Sequence, residues 1–301
     1  MTQHAVIDSK RAAIAFTNVT KRYGPVIALD AVDLEIPHGQ TIAILGPNGA
    51  GKTTAVSLMS GLRTPTSGEV EVLGGDPRDV RTRSTMGAML QASGIPPHLS
   101  VSETIELFRT YYPKPMNTVQ VVALCGLHEK LKTRAVALSN GQLQRLYFAL
   151  AICGDPTIVV LDEPTVGLDV EGRHAMLATI DGIAKRGRTI VLTTHHLEDA
   201  DALADRIVVI DRGRIVADGS PAEIKATVGR KRMAFRCNAS FESAEAFERA
   251  GNSYEILTDR PEAILRDLLA RNVEISNLTV TGASLEEAFL QLTARADDHA
   301  A

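Results

Sequence analysis

One short segment combines the residue types that bind the phosphate groups of a nucleotide. The sequence GPNGAGKT, residues 46–53, fits the pattern GxxxxGK[ST] and stands between an apolar run and a helical pattern, as that motif requires. Its glycines allow backbone N–H groups to surround phosphates, Lys52 supplies charge at the β and γ oxygens, and the Thr53 hydroxyl can ligate Mg²⁺. The segment predicts a loop that binds a nucleoside triphosphate.

A second candidate is the acidic pair Asp162-Glu163, which follows the apolar run TIVVL at residues 157–161. Taken alone, two acids after a strand are as often a solvated strand end as part of a functional site. Beside a phosphate-binding loop, Asp162 can hold Mg²⁺ through water and Glu163 can orient and polarise an attacking water. Transfer of a phosphoryl group to an organic acceptor is the alternative, but no acceptor pocket is legible in the sequence. The pair therefore favours hydrolysis.

The candidate groups share one position relative to the predicted strands. The phosphate loop, Gln91, the acidic pair and His195 each follow the C-terminal end of an apolar strand, which is where open α/β sheets bind ligands. A single histidine at such a place is more often structural, yet the coincidence over four strands favours a site. A histidine there can donate to the γ-phosphate.

A further segment, ALSNGQLQRL at residues 137–146, reads as a helix start. Ser139 can cap the helix, and Gln142 stands where a capping box requires it. Capping does not require Asn140 and Gly141. Small residues at a helix N-terminus leave N–H groups free at the positive end of the dipole, so this segment predicts a second anion-binding position.

The elements that carry these residues predict an α/β protein. After a β-rich N-terminal part, strands alternate with helices along the sequence, which indicates a sheet that is at least partly parallel. We predict a flexible N-terminus over residues 1–11, a nucleotide-binding domain over 12–229 with a helical insert at about 96–153, a small α+β domain over 230–295 and a flexible tail over 296–301. In the small domain the pattern reads β-α-β-α-β-α, with its first helix over residues 241–250.

Composition excludes several classes of protein. The net charge of −4 and pI near 6.1 disfavour an extended nucleic-acid surface. Three widely spaced cysteines suggest neither a disulfide framework nor a zinc site. No apolar run approaches the roughly 18 residues of a membrane helix, so we expect a chain that does not cross a bilayer by itself and that works in a reducing cytosol.

Together these motifs resemble the ATP-binding cassette (ABC) family over about residues 12–228. The resemblance implies a P-loop NTPase fold of ABC type. It implies that Tyr23 stacks on adenine, and that Gln91 in the Q-loop contacts Mg²⁺ and couples the site to a membrane partner. The Walker A residues that would bind the nucleotide are Gly46, Asn48, Gly49, Ala50, Gly51, Lys52, Thr53 and Thr54.

The remaining family motifs follow in order. Asp162 and the catalytic Glu163 match Walker B, Asp169 ends the D-loop, and His195 holds the switch position. The resemblance implies Mg²⁺ contacts from Thr53, Gln91 and Asp162. The segment matching the LSGGQ signature, which contacts the ATP of a partner subunit, contributes Ser139, Asn140, Gly141 and Gln142.

Two positions depart from the family pattern. Asn140 replaces the first glycine of the signature, and we expect function to survive because asparagine adopts left-handed backbone geometry more readily than other non-glycine residues. Val170 stands where proline often follows the D-loop aspartate, and we expect this to matter little.

The resemblance implies an ATP-hydrolysing motor subunit with the cofactors ATP and Mg²⁺. Two copies would sandwich two ATP molecules and dock on integral membrane permease subunits at the cytoplasmic face of the membrane, with no nucleic-acid partner. The C-terminal extension resembles that of bacterial exporters of drugs, antibiotics or polysaccharides, the ABC-2 type. The alternatives are a soluble ABC ATPase acting on ribosomes or DNA, and an importer ATPase.

Overall fold

The computed structural model describes residues 12–90, 94–229, 231–237 and 247–298 of the chain. The chain forms two compact units, one ending at Asp218 and the other beginning at Gly219. The predicted flexible N-terminus, residues 1–11, and the predicted site residue Gln91 lie outside the described residues.

The first unit begins with three strands, and further strands alternate with helices except in the helical insert and at the final pair of strands. Its strands are β1 (Ala12–Tyr23), β2 (Val26–Pro37), β3 (Thr41–Leu45), β4 (Ser67–Val72), β5 (Met86–Met89), β6 (Ile158–Asp162), β7 (Thr189–Thr193), β8 (Arg206–Asp211) and β9 (Arg214–Gly219), which crosses the boundary. Its helices are α1 (Lys52–Met59), α2 (Val80–Arg83), α3 (Val101–Arg109), α4 (Thr118–Cys125), α5 (Asn140–Ile152), α6 (Val170–Ala184) and α7 (Leu197–Leu203).

A six-stranded sheet with the order β5-β6-β7-β3-β8-β9 forms the centre of this unit. Neighbouring strands from β5 to β8 pair in parallel, and every residue of β3, β6 and β7 is buried. Burial on both faces explains why these strands read as continuous apolar runs rather than as alternating patterns. The predicted α/β fold with a parallel sheet is confirmed.

The β-rich part is a separate antiparallel sheet with the order β2-β1-β4. Its inner side chains, among them Ile14, Phe16 and Leu29, pack in one core with residues of β3 and α1. This sheet therefore packs against α1, the helix that follows the phosphate loop.

The helical insert between β5 and β6 contains α3, α4 and α5. Ser100 caps α3 with a capping box that includes Glu103, and Ser139 caps α5 in the same way with Gln142. Each box satisfies two backbone donors at a helix start. Helix α5, the last helix of the insert, lies beside β5 and β6 at the edge of the central sheet.

The second unit contains α8 (Pro221–Ala226), β10 (Lys231–Cys237), β11 (Phe247–Ala250), β12 (Ser253–Thr258), α9 (Pro261–Ala270), β13 (Ile275–Gly282) and α10 (Leu285–Asp298). Its strands form an antiparallel sheet with the order β11-β12-β10-β13. The core contains Phe235 stacked on Tyr254, with ring centroids 5.6 Å apart, and Leu268 of α9.

Three expectations for this unit need correction. Residues 247–250 of the predicted helix over 241–250 instead form strand β11, because their backbone pairs with β12 and sheet pairing overrides local helical pattern. Helix α8 contacts α10, so the second unit begins at Gly219 rather than at residue 230. Helix α10 continues to Asp298, into the predicted tail.

Within the described part of the chain, no helix combines the length and the apolar character needed to span a membrane.

Candidate functional site

The phosphate loop connects β3 to α1 through residues 46–51. Gly49 and Gly51 adopt positive φ values of 80° and 115°, which glycine allows without a steric cost. A Cβ atom on Gly51 would lie 2.4 Å from the carbonyl oxygen of Ala28, and one on Gly46 would lie 2.2 Å from that of Ile210. The loop geometry therefore requires glycine at both of its ends.

Lys52 extends across this loop from the first position of α1. Its Nζ donates to the carbonyl oxygens of Gly46 at 2.7 Å and Pro47 at 3.1 Å. Burial lowers the pKa of Lys52, and the negative charges of Glu163 and Asp162 oppose that shift. The lysine thus lies within electrostatic reach of the acidic pair. Thr53 is exposed and Thr54 half-buried in the first turn of α1.

The acidic pair lies at the end of β6. Asp162 is 3% exposed, and its Oδ1 accepts a hydrogen bond of 2.5 Å from the Thr193 hydroxyl on β7. Burial raises the pKa of Asp162, the Thr193 hydrogen bond and the charge of Lys52 lower it, and the charge of Glu163 raises it further. Burial dominates, so the ionised carboxylate is energetically costly in this position.

This cost leads to a prediction for Asp162→Asn. The amide has no charge and keeps an oxygen that can accept from Thr193, so we expect the free energy of unfolding to rise by about 1 kcal/mol. Denaturant unfolding at neutral pH with a metal chelator measures the change. The matched control is Asp181→Asn, whose carboxylate is 44% exposed and ion-paired to Lys185, and which we expect to gain nothing. A destabilised Asp162→Asn protein would contradict the argument.

Glu163 is held at three points around an unusual backbone conformation. Its φ of 57° is left-handed, which costs a non-glycine residue about 1 to 2 kcal/mol. Its N–H donates to the carbonyl and hydroxyl oxygens of Thr193 at 3.1 and 3.2 Å. Its carbonyl accepts from the Gln144 side chain at 3.1 Å, and its Oε2 lies 2.7 Å from His195 Nδ1. These contacts fix the direction of the carboxylate.

His195 lies two residues beyond the end of β7. Its backbone N–H also donates to Glu163 Oε2, at 3.3 Å, and its side chain is 56% exposed. Because β6, β7 and β3 are adjacent parallel strands, the acidic pair, His195 and the phosphate loop lie at one edge of the sheet. The structure therefore brings together these three predicted groups.

The signature residues lie at the start of α5. The Gln142 N–H donates to Ser139 Oγ at 3.3 Å, and the Ser139 N–H donates to Gln142 Oε1 at 3.1 Å. Asn140 is the first helical residue and is not among the described residues with positive φ, so the left-handed geometry that we expected it to supply is not needed. A Cβ atom on Gly141 would lie 3.3 Å from Leu168, which precedes Asp169 in the D-loop. Glycine at this position therefore allows the start of α5 to lie close to the D-loop.

Two further predicted residues have local structural contacts. Asp169 caps α6, and its Oδ1 accepts from the Gly172 N–H at 2.8 Å. Tyr23 ends β1 with 43% of its surface exposed, and the Lys21 ammonium lies 5.1 Å from the centre of its ring. An exposed aromatic face of this kind is available for stacking.

Sequence reasoning missed three residues that support this edge. Thr193 and Gln144 contact the acidic pair directly, as described above. Asp199 of α7 is 1% exposed and accepts from the Thr165 hydroxyl and from Arg173 Nε, each at 2.6 Å. Only Thr193 had a sequence signal, as a polar residue near the end of an apolar run.

The comparisons with known proteins agree with this geometry. The family model described as ABC transporter matches residues 29–166. The Nod factor export ATP-binding protein I of Cupriavidus metallidurans is 36% identical over 221 residues, which cover 71% of this chain and 73% of that protein. This chain belongs to the ABC transporter family. The protein of the same name from Burkholderia pseudomallei is 33% identical over 302 residues and extends the similarity to 94% of this ABC chain and 98% of its own.

A solved structure gives the same assignment for the first unit. The dimeric post-hydrolysis state of an ATP-binding cassette bound to ADP and Pi has a TM-score of 0.64 and 26% identity, over 69% of this chain and 98% of that one. The predicted ABC fold and ATPase activity are confirmed. This ABC protein is an ATP-binding and ATP-hydrolysing subunit of an ABC transporter.

Proposed function

We propose that the chain binds Mg-ATP at residues 46–54 and hydrolyses it with Glu163 and His195, as one of two copies that drive export through separate membrane subunits. The observation that carries this proposal is the 2.7 Å contact between Glu163 Oε2 and His195 Nδ1 at the sheet edge that holds the phosphate loop. It supports one acid and one histidine acting on the same phosphoryl group.

The residues of the site fit a magnesium ion. Asp162 offers a buried carboxylate, and its raised pKa indicates that the surrounding groups do not fully compensate its negative charge. Thr53 offers an exposed hydroxyl in the first turn of α1. Hard oxygen ligands of this kind suit Mg²⁺. When bound there by Thr53, and by Asp162 through water, with Gln91 as the third proposed contact, the ion would screen the charge of the β- and γ-phosphates.

Hydrolysis needs a positioned water and a stabilised phosphate. A water held by the Glu163 carboxylate attacks the γ-phosphorus and gives a proton to that carboxylate. The water oxygen forms the new bond to phosphorus, and the bond from phosphorus to the ADP oxygen breaks with its electrons left on ADP. Lys52 balances charge on the phosphate oxygens. His195 holds the carboxylate through Nδ1, and its exposed ring can reach the γ-phosphate. The loop N–H groups of residues 46–54 hold the phosphates, and Tyr23 stacks on adenine.

We infer further that the signature segment completes the site of a second copy. Ser139, Asn140, Gly141 and Gln142 form a helix start. The capping box uses the N–H groups of Ser139 and Gln142. The N–H groups of Asn140 and Gly141, in the first turn of α5, are those that an anion at the positive end of the helix dipole would contact. A phosphate loop and a signature segment in the same chain suit a twofold pair in which each copy completes the other. Asp169 lies at the start of α6, next to Leu168 and therefore close to the start of α5. The solved dimeric cassette supports this arrangement.

A groove on the first unit suits an integral membrane partner. It has a volume of about 390 Å³ and is lined mainly by apolar and aromatic residues, including the exposed Leu62 (52%), Val80 (77%) and Tyr111 (65%), with Arg83 and two serines among them. Leu90, which precedes Gln91, also lines it. The groove therefore adjoins the segment that leads from β5 to the proposed magnesium contact. An apolar, exposed groove at this place fits an amphipathic segment of a permease, which would hold the chain at the cytoplasmic face of the membrane.

A charge placed in the groove is expected to release the chain from its membrane partner. Val80→Asp would put a carboxylate into the proposed contact, where desolvation disfavours docking. We expect the Val80→Asp chain to leave the membrane fraction of the native host while its basal ATPase rate stays the same. Val119→Asp, at a valine that is 71% exposed on α4, is the matched control and is expected to stay with the membrane fraction. Equal behaviour of the two variants would contradict the assignment of the groove.

Purification in mild detergent with mass spectrometry tests the proposed class of partner. The export proposal expects a polytopic membrane protein in stoichiometric amounts. Recovery of ribosomal or DNA-bound partners alone would favour the soluble ABC alternative, and a permease with a solute-binding protein would favour an importer. The relatives named as export proteins match the chain through its second unit, which favours export.

A further inference from the structure

The Gln144 side chain connects the signature helix to the backbone of the acidic pair. It lies at the start of the second turn of α5, and its Nε2 donates to the carbonyl oxygens of Glu163 at 3.1 Å and Pro164 at 3.2 Å. An amide nitrogen carries two hydrogens, so one side chain can serve both carbonyls. None of the motifs identified in the sequence assigns Gln144 a part in the site.

These hydrogen bonds stabilise a backbone conformation that is strained by itself. Glu163 has the left-handed φ of 57°, a conformation that persists only where surrounding contacts enforce it. Thr193 holds the N–H of this residue, Gln144 holds its carbonyl, and His195 contacts its carboxylate. Removing the Gln144 side chain would release the hydrogen bonds that the helical insert donates to Glu163 and Pro164, and the carboxylate would lose part of its fixed direction.

We propose that Gln144 is a positioning residue that sets the direction of Glu163 and couples it to the signature segment of the same chain. This inference rests on the proposed function, in which Ser139 contacts the ATP of the partner copy and Glu163 acts on the chain's own ATP. Helix α5 begins at the signature and carries Gln144, so a displacement of its first turns by the partner's ATP reaches the Glu163 and Pro164 carbonyls directly. A packed helix with hydrogen bonds at both places is a physical route for coupling.

The coupling is reciprocal. Each chain contacts one nucleotide through its signature at the start of α5 and acts on the other nucleotide through Glu163. Binding at the first site shifts the position of α5, and α5 in turn shifts the direction of Glu163 at the second site. We expect ATP hydrolysis by two copies to be cooperative, and we expect Gln144 to carry part of that cooperativity.

The test compares Gln144→Met, Gln144→Lys and the control Gln120→Met in the purified full-length chain. Gln120 is an exposed glutamine of α4. Methionine keeps the length of the side chain and removes both donors, so kcat is expected to fall about 10-fold or more. The KM for ATP should stay within about twofold and the Hill coefficient should fall toward 1. Loss of both hydrogen bonds is expected to lower the unfolding midpoint relative to that of Gln120→Met, so kcat is compared at a temperature where every variant is fully folded. Lysine restores a donor to both carbonyls and is expected to recover most of kcat.

Three results would overturn the inference: Gln144→Met with wild-type kcat, a lower rate that is explained by a smaller fraction of folded protein at unchanged kcat per folded chain, or no recovery by Gln144→Lys. Glu163→Gln in the same assay separates this inference from the proposed function. If Glu163→Gln keeps its turnover, the role of Glu163 itself is wrong. If Glu163→Gln is inactive and Gln144→Met is fully active, only the positioning role of Gln144 is wrong.

Discussion

Replacing Glu163 by glutamine is expected to reduce ATP turnover by about 10³-fold or more while leaving ATP binding intact. The amide has the size of the carboxylate and keeps an oxygen that can accept from His195 Nδ1, so the arrangement around it persists. An amide does not polarise water as a carboxylate does, and the attack on the γ-phosphorus loses its base. The measurement is phosphate release together with equilibrium binding of ATP.

The control for this variant is Glu171→Gln, at an exposed glutamate in the first turn of α6. We expect it to keep wild-type turnover. Under the two-copy proposal, Glu163→Gln with ATP should also accumulate as a dimer in size-exclusion chromatography, because bound ATP is no longer consumed. Undiminished phosphate release from Glu163→Gln would remove Glu163 from the mechanism and leave His195 without its proposed role.

The second large effect is expected from Ser139→Ala. If Ser139 contacts the γ-phosphate held by the partner copy, loss of its hydroxyl should lower kcat by about 10²-fold, as for other single donors to a reacting oxyanion. The same substitution also removes the cap of α5, which costs about 1 kcal/mol of stability. The loss of a cap must therefore be separated from the loss of a ligand contact.

Ser100→Ala makes this separation possible. Ser100 caps α3 with a capping box of the same design, completed by Glu103, but it belongs to no proposed contact with nucleotide. We expect both variants to lose similar stability in denaturant unfolding, and only Ser139→Ala to lose turnover. Equal losses of turnover would reduce Ser139 to a structural cap.

The parts of the fold that follow from local pattern were predictable from the sequence. The loop before Lys52 needs a strand, glycines and a helix in immediate succession, and all three are legible in residues 41–59. The gathering of the acidic pair and His195 near this loop was also predictable, because ends of adjacent parallel strands meet at one edge.

What the sequence did not reveal depends on contacts between distant segments. The hydrogen bonds from Gln144 to Glu163 and Pro164 join α5 to the end of β6, and no spacing within α5 marks that residue. Residues 247–250 have a helix-like local pattern and become a strand because β12 offers a pairing edge. For Asn140 the sequence suggested left-handed geometry by analogy with glycine, whereas the cap at Ser139 already places it in the helix.

The shared site is the central claim, and mixing two inactive variants tests it most directly. A Lys52→Ala chain lacks the charge at the phosphates, and a Ser139→Ala chain lacks the signature contact, so each homodimer has two defective sites. A mixed dimer has both defects in one site and an intact Lys52 facing an intact Ser139 in the other. Random pairing makes half of the dimers mixed, each with one intact site, so the mixture is expected to recover at most about a quarter of the wild-type ATPase rate, and less where the intact site depends on its defective neighbour. A mixture no more active than its two parents would contradict the account.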